Sequence, residues 1–170
     1  MVGGSFASSA WGMPRQTHDL DVAVLLTPER AGELFDAVKD NYMASLDEIR
    51  NTLRSAESFR AFQMIHFEET FKLDVFVLFD NEYTRASFER TLPYPMFDDL
   101  TVPFASPKDT VVTKLRWFDL GHRVSDKQWN DIVQVLEIQG EDLDEAYMTR
   151  WAEHFGVLEL LREAQSQVVA

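Results

Sequence analysis

Two apolar runs with acids at fixed places constrain this chain most. Asp19-Leu20-Asp21-Val22-Ala23-Val24-Leu25-Leu26 is rich in β-branched and aliphatic residues and reads as a strand buried on at least one face. Alternate residues of a strand share a face, so Asp19 and Asp21 point the same way. Two ionised carboxylates about 7 Å apart along one strand repel each other, which makes a divalent cation their natural partner. Phe71-Lys72-Leu73-Asp74-Val75-Phe76-Val77-Leu78 is a second apolar strand with a single acid in its middle. Pairing it beside the first brings Asp74 to the same cluster. Three carboxylates can hold two Mg²⁺ ions about 3.5–4 Å apart, the clamp that stabilises both attacking and leaving oxygens in an in-line phosphoryl displacement. The bland alternative, surface acids on exposed strands, fits poorly with runs this apolar.

The segment ahead of the acids suits the same chemistry. Gly3 and Gly4 allow backbone conformations closed to other residues, and Ser5 to Ala10 can start a helix whose unpaired N–H groups face a phosphate. Gly3-Gly4-Ser5 alone would be an ordinary turn; its distance from the acids is what raises it. Arg15 and Thr17 then place a cation and a hydroxyl within reach of a triphosphate.

Together these residues resemble a family. The string Gly-Gly-Ser-x-Ala-Ser-x-x-x-Gly-x-x-Arg-x-Thr-x-Asp-Leu-Asp, from Gly3 to Asp21, looks like the signature of the polymerase-β-type nucleotidyltransferase superfamily, in particular its branch similar to AbiEii/AbiGii toxins. Lys72-Leu73-Asp74 matches that branch's later Lys-x-Asp element. Ser106-Pro107-Lys108-Asp109, Lys114-Leu115-Arg116 and the run from Lys127 to Ile132 look like the helical elements that follow its catalytic sheet. The resemblance covers almost the whole chain. It implies an α/β (α+β) fold, a mixed sheet flanked by helices with a C-terminal helical unit. It also implies transfer of an NMP from an NTP to an acceptor hydroxyl, with Asp19, Asp21 and Asp74 holding Mg²⁺, two ions in all. Phosphate contacts would fall to Gly4, Ser5, Arg15, Thr17, Lys72, Lys114 and Lys127. The acceptor stays open between a tRNA end, a protein side chain and a small molecule such as an aminoglycoside, and an antitoxin or other protein partner follows by family only. Members usually carry a helix and a strand before the Gly-Gly-Ser turn, whereas only Met1 and Val2 precede it here, too few for an ordinary strand. The expectation is that Met1-Val2 is the end of a lost first strand.

Composition narrows the setting. The 170 residues, 45% of them hydrophobic, can bury a proper core. Cysteine is absent, which excludes disulfides and thiolate metal sites. With no signal peptide and no long apolar run, the default is a cytoplasmic location and no membrane. A net charge of −13 opposes tight, non-specific nucleic-acid binding.

The division expected is a catalytic core over 1–105 and a helical unit over 106–170. Thr27-Pro28-Glu29 reads as a helix start running to about Lys39, a second helix covers 46–56, and 59–67 with the Asp74 strand reads as a hairpin turning at Glu68-Glu69-Thr70. A short strand is expected within 39–43. After Asp80-Asn81-Glu82 the segment to Phe104 is expected to be irregular, with short edge strands at 92–97 and 100–104. Helices follow from Ser106, from the capping box at Ser125, from Asp142 and from Val157.

Several residues keep two readings. Arg15 is divided between phosphate contact and a structural ion pair, and Lys72 between neutralising Asp74 and contacting phosphate. Lys114 and Lys127 are either solvated or substrate contacts, and Asp131 pairs locally with Lys127 at i,i+4. His18 alternates away from the acids, and His66, His122 and His154 lack zinc-ligand spacing. The competing functions are a nucleotide- or partner-binding module without turnover and a metal-dependent phosphohydrolase.

Overall fold

The computed structural model describes residues 1–17, 19–57, 59–69, 71–97 and 99–168. The orientation expected of His18 and the Thr70 end of the hairpin turn lie outside them. Helix α1 (Gly4–Trp11) leads to β1 (Asp19–Val24), then to a 3₁₀ turn (Pro28–Arg30) and α2 (Ala31–Val38). Next come β2 (Tyr42–Met43), α3 (Leu46–Arg54), β3 (Ala61–His66), β4 (Lys72–Val77) and α4 (Glu82–Glu89). The hairpin β5 (Leu92–Phe97) and β6 (Leu100–Phe104) precedes four helices: α5 (Pro107–Leu120), α6 (Asp126–Gln139), α7 (Glu145–His154) and α8 (Leu158–Ser166).

Four strands form a mixed sheet in the order β1-β4-β3-β2, with β1 and β4 parallel and the other pairs antiparallel. The register sets Asp21 beside Asp74 and Asp19 beside Lys72. Because side chains alternate, Val75 and Val77 point to the other face. There they pack with Phe62 and Met64 against Ala31 of α2 and Ile49 and Leu53 of α3. One face is thus closed by helices and the other carries the acids. Val2 pairs antiparallel with Val22 and parallel with Phe104, joining the sheet edge to the β5–β6 hairpin. Val2, Ala7, Phe104 and Ala105 are buried together around this junction.

The last four helices share one core, built from Val111, Val112 and Leu115 of α5, Ile132 and Val135 of α6, Trp151 of α7 and Leu161 of α8. Tyr83 of α4 belongs to it as well. The starts of α5 and α6 are fixed by Ser106 and Ser125, whose hydroxyls accept from the N–H groups of Asp109 and Gln128. Each such cap is worth about 1 kcal/mol.

Three expectations need correction. Residues 82–89 form a helix rather than irregular chain, because Asn81 caps it by accepting from Thr84 N–H and the prolines that limit helix formation begin only at Pro93. Asp144, not Asp142, caps α7; Asp142 closes a 3₁₀ turn instead. Thr27 makes no side-chain cap bond, and the chain enters α2 through a 3₁₀ turn.

Candidate active site

The acid-bearing face of the sheet forms one wall of a cleft of about 440 Å³. Gly3, Gly4 and Ser5 from the start of α1, Lys114 and Trp117 of α5 and Lys127 of α6 also line it. Six of the ten residues expected to hold metal or phosphate therefore line it: Gly4, Ser5, Arg15, Asp21, Lys114 and Lys127. Asp74, Asp19 and Lys72 continue the same strand face beyond the cleft wall. Thr17 stands apart, its hydroxyl donating to the Asp19 carbonyl oxygen at 3.4 Å.

Gly4 is glycine for a reason visible in the geometry. Its φ is +54°, and a Cβ built there would fall 1.8 Å from Asp21 Oδ2. The turn can pass this close to Asp21 only without a side chain, and the closeness lets Ser5 N–H donate to Asp21 Oδ2 at 3.4 Å. Burial raises the Asp21 pKa above the usual carboxylate value; Asp74 and Asp19 add like charge, while Ser5 N–H and Lys114 oppose it.

Asp131 of α6 is the centre that sequence reasoning missed. Its carboxylate accepts two bonds from Arg15, at 2.9 Å from both Nε and Nη2, one from Lys114 Nζ at 2.9 Å and one from Ser8 Oγ at 3.1 Å. The expected i,i+4 pair with Lys127 gives way to these three partners from α5, α1 and the loop after α1. A bidentate guanidinium and a buried ammonium outweigh one exposed lysine. Burial alone would raise the Asp131 pKa, but Arg15 and Lys114 hold it below the usual range. Burial lowers the Lys114 pKa, with Asp131 opposing. A signal was present: Asp131 shares a helical stripe with the buried Val135, where an acid needs a partner. Arg15 also donates from Nη2 to Ser5 Oγ, and its Nη1 is buried without a partner among the described residues. Arg15 is thus ion-paired with Asp131 and also lines the cleft.

The carboxylates suit a hard divalent ion in chemistry. All donors are oxygens, as Mg²⁺ prefers, and Asp21 faces Asp74 across adjacent strands with its charge already disfavoured. Their present arrangement is looser than a finished site. Among the described residues no three His, Cys, Asp or Glu side chains are gathered closely enough to hold an ion. Lys72 Nζ instead lies 3.0 Å from Asp74 Oδ2 and 3.5 Å from Asp19 Oδ1, and the bond to Asp74 is the main cause of its raised pKa. An ion bound by all three acids requires Lys72 to withdraw.

The mixed sheet flanked by helices is a fold this chain shares with solved nucleotidyltransferase structures. The chain aligns with the solution structure of the antibiotic-resistance factor ANT(2'')-Ia at a TM-score of 0.54 and 15% identity, covering 96% of this chain and 86% of that one. It aligns with the crystal structure of an antigenic nucleotidyltransferase-like protein from Paracoccidioides brasiliensis at 0.50 and 12%, covering 99% and 84%. These likenesses are of fold. No protein-family model and no curated protein matches the chain, so the narrower AbiEii/AbiGii likeness rests on the motif residues alone. No helix among the described residues is long and apolar enough to cross a membrane.

Proposed function

We propose that this chain is a Mg²⁺-dependent nucleotidyltransferase that moves an NMP from an NTP to an acceptor hydroxyl. The observation that carries this reading is the register of Asp21 against Asp74 on a strand face that opens onto the cleft shared with Arg15 and Lys114. Asp19, Asp21 and Asp74 would hold the metal, which supplies Lewis-acid stabilisation of the phosphoryl oxygens when bound. The start of α1 and the cations Arg15, Lys114 and Lys127 bind the triphosphate, with Asp131 holding the first two in place. The acceptor oxygen forms a bond to the α-phosphorus as the bond from that phosphorus to the bridging oxygen breaks and pyrophosphate leaves. Asp74 takes the acceptor's proton. A small-molecule, tRNA or protein acceptor, a toxin role with an antitoxin partner, and a cytoplasmic setting belong to the same reading.

A second reading has its own observation. Lys72, bridging Asp19 and Asp74, supplies the positive charge those acids need, as a binding module without turnover would arrange. Label placement separates the readings. Wild-type protein is incubated with Mg²⁺, α-labelled or γ-labelled NTPs and fractions of RNA, protein and small metabolites. Transfer predicts α-label on one acceptor fraction and γ-label in pyrophosphate. Free γ-labelled phosphate without acceptor labelling means a phosphohydrolase, and no consumption of any NTP supports the binding module.

A further inference from the structure

We propose that the apolar half of the cleft, formed by Phe59, Phe76 and Trp117, is a stacking subsite for the nucleotide base. This deepens the nucleotidyltransferase reading and rests on it. The three rings form one cluster, with Phe59 at 5.2 Å from Trp117 and 5.8 Å from Phe76 between centroids, and Trp117 at 6.0 Å from Phe76. All three line the cleft, yet Phe59 is 51% exposed. A ring this open, held edge-on by two others, offers a face rather than filling a core.

Position ties the cluster to the anion-binding half. Trp117 follows Lys114 by three residues on α5, one helical turn along the same side, an advance of about 5 Å. Phe76 follows Asp74 by two residues on β4, a step of about 7 Å on the same sheet face. One molecule with an anionic group near Arg15 and Lys114 and a flat ring about one sugar's length away spans both halves. A nucleotide has that form.

Two polar atoms of cleft-lining residues lack partners. Thr110 Oγ1 is buried, its residue only 3% exposed, and has no hydrogen-bond partner among the described residues; Gln128 Oε1 is in the same state. Both residues line the cleft. Thr110 precedes Trp117 by seven residues on α5, about 10 Å along the axis with Lys114 between them, so an unpaired hydroxyl there is suited to the sugar–phosphate part of a nucleotide. An all-apolar occupant would leave both atoms unpaired.

The test is calorimetric binding of ATP, GTP, CTP and UTP, each with Mg²⁺, against inorganic tripolyphosphate, which keeps the anion and lacks the ring. Wild-type protein should bind at least one NTP about 5- to 150-fold tighter than tripolyphosphate, the range of one base–aromatic stack. Trp117→Leu and the surface-exposed Phe59→Leu should each remove much of that margin while leaving tripolyphosphate affinity unchanged. The Phe59 variant guards against a folding defect in the Trp117 one. If every NTP binds no tighter than tripolyphosphate, or both variants weaken the two ligand types equally, the subsite is overturned while phosphate binding stands. If neither NTP nor tripolyphosphate binds, the nucleotide reading itself falls and the subsite with it.

Discussion

Gly4→Ala should damage this protein far more than Gly3→Ala, although the two glycines are neighbours. At Gly4 the φ of +54° costs an L side chain about 1–2 kcal/mol. The new Cβ would also lie 1.8, 2.4 and 2.7 Å from Oδ2, Cγ and Cβ of Asp21. The oxygen can swing aside, but Asp21 Cβ is fixed by its place in β1, so the turn must move. Adding about 1–3 kcal/mol for that overpacking gives a loss of about 2–5 kcal/mol. At Gly3 the φ is −130° and nothing lies within 4 Å of a built Cβ, so alanine there meets no clash and should cost far less than at Gly4. Urea unfolding followed by circular dichroism gives the two stabilities, and calorimetry gives NTP binding. Gly4→Ala should bind NTP weakly even where it is folded, because Asp21 and the turn no longer fit together. Equal stability and equal NTP binding for the two variants would refute the reasoning.

Other residues give further predictions. Asp131→Ala leaves Arg15, Lys114 and Ser8 without their shared acceptor and should cost about 3–5 kcal/mol, read by the same unfolding experiment; a loss below about 1 kcal/mol contradicts the pairing. Because the folded-state pKa of Asp131 is lowered, its contribution is present above the unfolded carboxylate pKa and lost as pH falls through the folded value, so wild type should lose stability below about pH 4 more steeply than Asp131→Asn. Tyr147→Phe removes a hydroxyl that donates to the buried Asp109 and accepts from Arg90, and should cost about 1.5–3 kcal/mol with NTP affinity unchanged.

What the sequence disclosed depended on how far each signal reached. Alternation within β1 and β4 was local, so the shared face of Asp19, Asp21 and Asp74 was readable before any coordinates. Gly4 was readable because its motif lies a fixed distance from the acids. The choice made by Asp131 was not, since its partner Arg15 is 116 residues away and Lys127 offered a nearer one. Helix α4 was missed by giving weight to prolines that begin four residues after its last residue, when Asn81 with Thr84 was the better guide. The junction at Val2 depends on Val22 and Phe104 at once, a three-element contact that no periodicity encodes. The meeting of Phe59, Phe76 and Trp117 likewise joins the loop before β3 to β4 and α5.

Pyrophosphate release measured for wild type, Asp21→Asn and Asp74→Asn tests the central claim most directly, with an acceptor fraction present and EDTA as control. The account predicts release by wild type that stops with EDTA and falls at least about 100-fold in either variant, each still folded by circular dichroism. Undiminished release in both variants, or release that persists in EDTA, would contradict it.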